Sequence, residues 1–317
     1  MKLDRIYDLL FESARGSVAR DVPLAPMTTY KLGGPAGLLF EPQDVDDLVL
    51  FAEVLADVDP PGDVPVLALG RGSNVVISDH GWDGVVVRMN DAWIRIDQKG
   101  DDSCVAGAAT SLPVVANWAA RRGLSGVEFG VAIPGSVGGA VRMNAGAHGG
   151  QMSDHLAFVR FFELTTSKVV ERAATSLELS YRHSNVTDRQ IVLEAELLLE
   201  RDDEDAIKAR MDGYRRHRAA TQPGANQNAG STFKNPAGDS AGRLVEAAGL
   251  KGFGVGRARV SELHANFFIA SEGASAQDVF DLVEEVKARV ADALDVELEP
   301  EVRFLGDFAT RAVGGAT

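Results

Sequence analysis

Residues 133–150 read IPGSVGGAVRMNAGAHGG, with glycine at 135, 138, 139, 146, 149 and 150. Glycine lets a backbone turn sharply and leaves N–H groups uncovered. Successive uncovered N–H groups form a concave anion site that a pyrophosphate can approach closely. Two further clusters lie upstream: TTYKLGGPA at 28–36, and GRGSN at 70–74, directly after the apolar run VPVLAL at 64–69. One such cluster is an ordinary tight turn. Three of them, with Ser73, Asn74 and Ser136 as extra donors, point to a phosphate-containing ligand. The residues expected around it are Gly70, Arg71, Gly72, Ser73, Asn74, Ile133, Pro134, Gly135, Ser136, Gly138, Gly139 and Ala140. No G-x-x-x-x-G-K-[ST] loop occurs, and Val75 stands where G-x-G-x-x-G needs its third glycine. A dinucleotide bound here therefore sits on another scaffold.

Around these clusters helical and strand-like stretches alternate irregularly. Asp44 and Ser111 are N-caps of expected helices, the second with Pro113 in its first turn and Gly123 closing it. Ser275-x-x-Asp278 caps a long helix whose Val279, Leu282, Val283, Val286 and Val290 share one face. Val85–Arg88, 156–164, 190–200 and 265–270 read as strands, with Phe158, Phe161 and Phe162 in the core. The pattern is α+β and too irregular for a (β/α)8 barrel. The expected segments are 1–88, 89–205 and 220–301, with 302–317 returning to the first.

Composition narrows the function. Against 32 Lys and Arg stand 46 Asp and Glu, a formal charge of −14. Such a surface repels nucleic-acid backbones and anionic lipid, so neither is expected as partner. The single cysteine, Cys104, forms no internal disulfide, and no metal-ligand spacing is present. The opening MKLDRIYDLLFESA is interrupted by charges, and no run of about 20 apolar residues follows. A cytoplasmic protein is expected.

Six stretches occur in telling order: GRGSNVVISDHGWDGVVV (70–87), FGVAIPGSVGGAVRMNAGAHGG (129–150), YRHS (181–184), AGSTFKNP (229–236), AGRLVEAAGLKG (241–252) and LEPEVRFLG (298–306). In these the chain resembles the UDP-N-acetylenolpyruvoylglucosamine reductase (MurB) family along nearly its whole length. The resemblance implies a vanillyl-alcohol-oxidase (PCMH)-type two-lobed FAD fold plus a C-terminal α+β substrate domain. It implies non-covalent FAD, NADPH as co-substrate, and reduction of an enolpyruvyl sugar nucleotide in peptidoglycan precursor synthesis. Arg142 and His148 stand where the family often has aromatic residues. Only eight residues separate Arg182 from the strand near Ile191, which leaves no room for one subgroup's tyrosine-bearing loop. The chain is thus similar to the subgroup without it (type II).

By that resemblance Ser231 is the proton donor, Arg182 holds the substrate carboxylate, and Glu301 is the catalytic glutamate. Tyr181, Asn235 and His264 would touch substrate. Read locally, these residues say less: Ser231 is a turn serine, Arg182 a loop arginine, and Glu301 a solvated acid beside Glu297 and Glu299. The run Arg215–Arg218 reads as a solvated helix face. Another flavoprotein of the same fold, oxidising a small alcohol or hydroxy acid, is the competing enzyme. A nucleotide-binding scaffold without catalysis is the competing non-enzyme.

Overall fold

Asp44 does what its position predicts: its carboxylate accepts the Asp47 N–H at 3.1 Å and starts a helix. In the computed structural model, which describes residues 1–60, 62–224 and 227–310, the chain divides by contacts into two units. The first comprises Met1–Val22, Ala36–Arg71 and Asp83–Arg218. The second comprises Pro23–Pro35, Gly72–Trp82 and Ala219–Thr317, less the residues outside that description.

The first unit holds two large sheets beside two short two-stranded ones. One has four strands in the order Ser17–Pro23, Pro35–Glu41, Trp82–Arg88, Val66–Leu69, the last two parallel. Helices α1 (Lys2–Ser13) and α2 (Val45–Val58) bury Ile6, Leu10, Leu48 and Phe51 against its Leu38, Phe40, Val85 and Val87. The other is antiparallel, in the order Lys168–Ala173, Leu156–Glu163, Gln190–Leu198, Ser103–Gly107, Ile96–Lys99. Successive strand residues face opposite ways. Phe162 accordingly joins the α1–α2 core, while Phe161 joins a second core with α3 (Leu112–Ala120) and α4 (Val137–Met143). Phe158 was expected inside and is 41% exposed; a register shift between Leu156 and Phe158 breaks the alternation there. Helix α5 (Glu204–Thr221) lays Ile207 and Met211 on Ala116 and Ala120 of α3.

The second unit gathers three distant lengths of chain. Val75–Ile77 pairs in parallel with Arg303–Leu305, and Gly254–Val255, Ala258–Val260 and Phe268–Ala270 form an antiparallel sheet. Two helices cover its core, α6 (Ala241–Ala247) and α7 (Ala276–Leu294). The α7 stripe Val279, Leu282, Val283, Val286 and Val290 is fully buried, as its spacing predicts. Burying each such side chain stabilises by about 1.5–3 kcal/mol. The Ser275–Asp278 capping box forms, and the Asp79 carboxylate accepts the Ala276 and Gln277 N–H groups as well. Tyr30 is buried and donates to the Phe268 carbonyl at 2.9 Å. No helix among the described residues is long and apolar enough to cross a membrane.

Candidate functional site

In the first unit Gly70 leaves the strand Val66–Leu69 and meets the turn at Ser136. A Cβ at Gly70 would lie 2.5 Å from the Ser136 hydroxyl, which would have to rotate away. The turn is fixed from behind. Leu112 N–H donates to Gly135 C=O (3.0 Å), Val137 N–H to Thr110 C=O (2.9 Å) and Gly138 N–H to Ala108 C=O (3.0 Å). Ser136 is the N-cap of α4, yet its hydroxyl makes no cap hydrogen bond. Gly138 and Gly139 differ in what they admit. A Cβ at Gly138 would touch Ala108 and Val192 of the sheet, whereas one at Gly139 would have only Ser136 Oγ within 4 Å, at 3.6 Å. Gly139 borders open space. Ala140 is buried, Ile133 and Pro134 are half-buried, and Arg71 is exposed.

Of the run Arg215–Arg218, Arg215, Arg216 and His217 are exposed as expected, and only Arg218 turns inward. Arg218 donates to the Ala132 carbonyl, just before Ile133, and burial lowers its pKa. Arg215 pairs with Asp212 at 2.7 Å and donates to Asn117.

Arg182 sits at the tip of a turn closed by two backbone hydrogen bonds between Ser180 and His183, at 3.2 and 3.1 Å. Its φ is +54°, a left-handed conformation that costs a non-glycine residue energy and persists where surroundings impose it. The guanidinium donates to the Gly146 carbonyl at 2.8 Å and lies over the Tyr181 ring. Buried Asn144 fixes the turn, donating to Ser180 C=O (2.9 Å) and accepting the Ser153 N–H (2.9 Å). Nearby, His148 stacks on Tyr214 at 4.2 Å and meets His217 edge-on. Burial, His217 and Arg218 lower the His148 pKa.

In the second unit Ser231 forms an isolated bridge with Phe267, and Phe233 one with Pro300. The Glu301 N–H donates to Thr232 C=O at 2.8 Å, so Ser231 and Glu301 lie on hydrogen-bonded neighbouring segments. Asn74 donates its Nδ2 to the Glu301 carbonyl at 3.1 Å, and its own carbonyl accepts the Arg303 N–H. Gly72 (φ +61°) packs on the Met27 carbonyl, and Ser73 is half-buried. Asn235 accepts the first N–H of α6, from Ala241, at 3.0 Å, and Lys234 pairs with Glu299 at 2.6 Å. His264 Nδ1 accepts the Asn266 N–H at 3.2 Å, which leaves the neutral ring's proton on Nε2. Burial lowers its pKa. The first glycine cluster belongs to packing: Cβ atoms at Gly33 and Gly34 would run into Ile77 and the Asp79 carbonyl.

Within the first unit the structure therefore joins Gly70, Ser136 and Gly139, and holds Arg182 to the Gly146 turn. Within the second it joins Ser231, Glu301 and Asn74. Sequence reasoning passed over Asn144 and Asn266. Their one visible signal is a carboxamide set among small or apolar neighbours, as in HANFFIA at 264–270. No group of three potential metal ligands occurs among the described residues. The open space beside Gly139, with the Ser136 hydroxyl at its edge, is compatible with a flavin dinucleotide.

Two family models match separate stretches of the chain. A family model described as an FAD binding domain matches residues 36–171. One described as the C-terminal domain of UDP-N-acetylenolpyruvoylglucosamine reductase matches residues 222–305. The chain is 43% identical over 292 residues to the reductase of that name from Acidiphilium cryptum, covering 92% of each. It is 38% identical over 308 residues to that from Bacillus subtilis, covering 96% of this chain and 99% of the relative. The crystal structure of the Thermus caldophilus reductase superposes with a TM-score of 0.78 at 35% identity, covering 93% of this chain and all of that one.

Proposed function

The chain belongs to the UDP-N-acetylenolpyruvoylglucosamine reductase family, and from that membership we propose how its own residues serve the reaction. It is an FAD oxidoreductase with the PCMH-type FAD-binding fold and a C-terminal α+β domain, and it acts in peptidoglycan precursor synthesis. The substrate is UDP-N-acetylglucosamine enolpyruvate and the product UDP-N-acetylmuramate. FAD, held by the loops at Gly70 and Gly135–Gly139, would supply the hydride chemistry between NADPH and the enolpyruvyl group. The protein's own work concerns charge and one proton.

Hydride addition next to a carboxylate leaves an enolate-like dianion. Arg182 offsets that charge, in a turn already fixed by Asn144 and Gly146. The Ser231 hydroxyl delivers a proton to the α-carbon. A hydroxyl is a weak acid, so it serves only when held at hydrogen-bond distance with water excluded. Glu301, on the segment beside Ser231, is the catalytic glutamate, and Tyr181, Asn235 and His264 contact the substrate. The room beside Gly139 and the Gly70–Ser136 contact support these loops as the FAD cradle. Cys104 is buried in the sheet core and its thiol is pushed up to about 11, which suits FAD held without a covalent link. We assign the chain to the type II subgroup and to the cytoplasm.

One observation supports the pairing of Ser231 with Glu301: the Glu301 N–H to Thr232 C=O bond sets their segments side by side. The test is anaerobic mixing of the purified protein with NADPH, then with the enolpyruvyl sugar nucleotide. The flavin band should bleach, then return as UDP-N-acetylmuramate forms. A bleached flavin that the sugar nucleotide does not reoxidise would overturn the reading.

A further inference from the structure

We propose that Asn266 is a positioning residue for proton delivery: its buried carboxamide fixes the segment that carries Ser231 and adjoins Glu301. The proposal rests on the reading of Ser231 as the proton donor.

Asn266 is 3% exposed. Its side chain engages both backbone groups of one residue: Phe233 N–H donates to Oδ1 at 2.9 Å, and Nδ2 donates to Phe233 C=O at 2.8 Å. Its own carbonyl accepts the Thr232 N–H at 2.8 Å, and the next residue, Phe267, bridges Ser231. Three successive residues, 231 to 233, are thus held from one edge by Asn266 and Phe267. The antiparallel bridge between Ser231 and Phe267 would set Ala265 opposite Phe233, but the chain turns there, with the Phe267 N–H donating to the His264 C=O at 2.9 Å. The carboxamide replaces that missing peptide, with one donor and one acceptor at peptide-like spacing.

The opposite edge of the same segment is also occupied. Thr232 C=O accepts the Glu301 N–H at 2.8 Å, and the Lys234 N–H donates to Glu299 C=O at 2.9 Å. Ser231 and Glu301 therefore keep their relative place only while the segment between them stays put. Phe233 is buried, so its N–H and C=O have no water to fall back on when Asn266 is changed. Aspartate has nearly the same shape but no Nδ2 donor, and it sets a carboxylate oxygen against the Phe233 carbonyl. A displacement of about 1 Å at a reacting group costs about 10²-fold in rate.

The experiment is stopped-flow absorbance of the FAD-loaded Asn266→Asp protein, half-reaction by half-reaction, beside Ser231→Ala and the double variant. Bleaching by NADPH should stay within about twofold of the parent, because that step takes no proton from Ser231. Reoxidation by the enolpyruvyl sugar nucleotide should slow by about 10²-fold at saturation, with substrate affinity unchanged. The double variant should be no slower than Ser231→Ala alone, because both changes remove the same proton delivery. Asn266→Ser, which admits water in place of the carboxamide, carries the measurement if the aspartate variant does not fold. Slow reoxidation in Ser231→Ala with a parental rate in Asn266→Asp overturns the positioning role and leaves the donor reading standing. A parental rate in Ser231→Ala removes the donor reading and this proposal with it. Failure of both Asn266 variants to fold with FAD makes Asn266 a folding residue and overturns the proposal. A purely structural role would slow both half-reactions or weaken substrate binding.

Discussion

The Gly135–Gly139 turn and the Ser231–Lys234 segment are built by opposite means. The first is shaped by what it lacks: Gly70 admits the Ser136 hydroxyl, and Gly139 leaves open space in front of the turn. The second is shaped by what surrounds it, with Asn266 and Phe267 on one edge and Glu299 and Glu301 on the other. A tightly held cofactor needs room and backbone polarity. A weak acid that must meet one carbon atom needs a fixed position, so its neighbours take up nearly every backbone group.

This contrast sets the order of expected effects. Ser231→Ala should be the largest, slowing substrate-driven flavin reoxidation by about 10²–10⁴-fold while leaving bleaching by NADPH intact. Equal loss in both half-reactions would show that the segment serves the flavin rather than the proton. Next is Gly139→Val, whose Cβ enters the open space with Ser136 Oγ as its nearest contact outside α4, at 3.6 Å. If overpacking at about 1–3 kcal/mol falls on the ligand, FAD affinity drops by about 10–100-fold with thermal stability of the apoprotein kept. Flavin content after gel filtration reads this, and full retention would move the cradle elsewhere. Gly138→Val is a poorer probe, because Ala108 and Val192 meet its side chain first.

Gly34→Ala tests the packing glycines. Its methyl runs into the Asp79 carbonyl, so stability should fall by about 1–3 kcal/mol in denaturant unfolding, with flavin per folded protein unchanged. The smallest effect concerns pH. His148 in one unit and His264 in the other both have lowered pKa values, each chiefly through burial. The unfolded chain then binds more protons than the native one just below the ordinary histidine pKa. Stability contributed by these groups is full above it and is lost as pH falls toward the folded values. Melting temperature should fall from pH 7 to 5.5, and less steeply in His148→Phe. An unchanged slope would mean that His148 keeps its ordinary pKa.

Local patterns made much of this legible. Asp44, Ser275 and the α7 stripe announce themselves, because caps and helical periodicity depend only on near neighbours. Three glycine clusters were visible, but not that Gly33, Gly34 and Gly70 serve close packing while Gly139 leaves room. That distinction depends on which distant backbone lies opposite. The grouping of 23–35 and 72–82 with the C-terminal lobe was equally hidden, since Val75–Ile77 finds its partner in Arg303–Leu305. The buried places of Asn144 and Asn266, and the inward turn of Arg218, are likewise non-local.

The threading of the second unit has a consequence for synthesis. Residues 23–35 and 72–82 leave the ribosome early, yet Tyr30 and Val76 reach their core only when α7 and the strand Arg303–Leu305 exist. The first unit has all its residues by Arg218 and is free to fold while translation continues. For the rest of elongation those two early lengths wait as apolar loops on a finished neighbour, open to proteases and chaperones. Nascent chains arrested near residue 240 should therefore be cut within 23–35 and 72–82 under limited proteolysis, and full-length released chains should not.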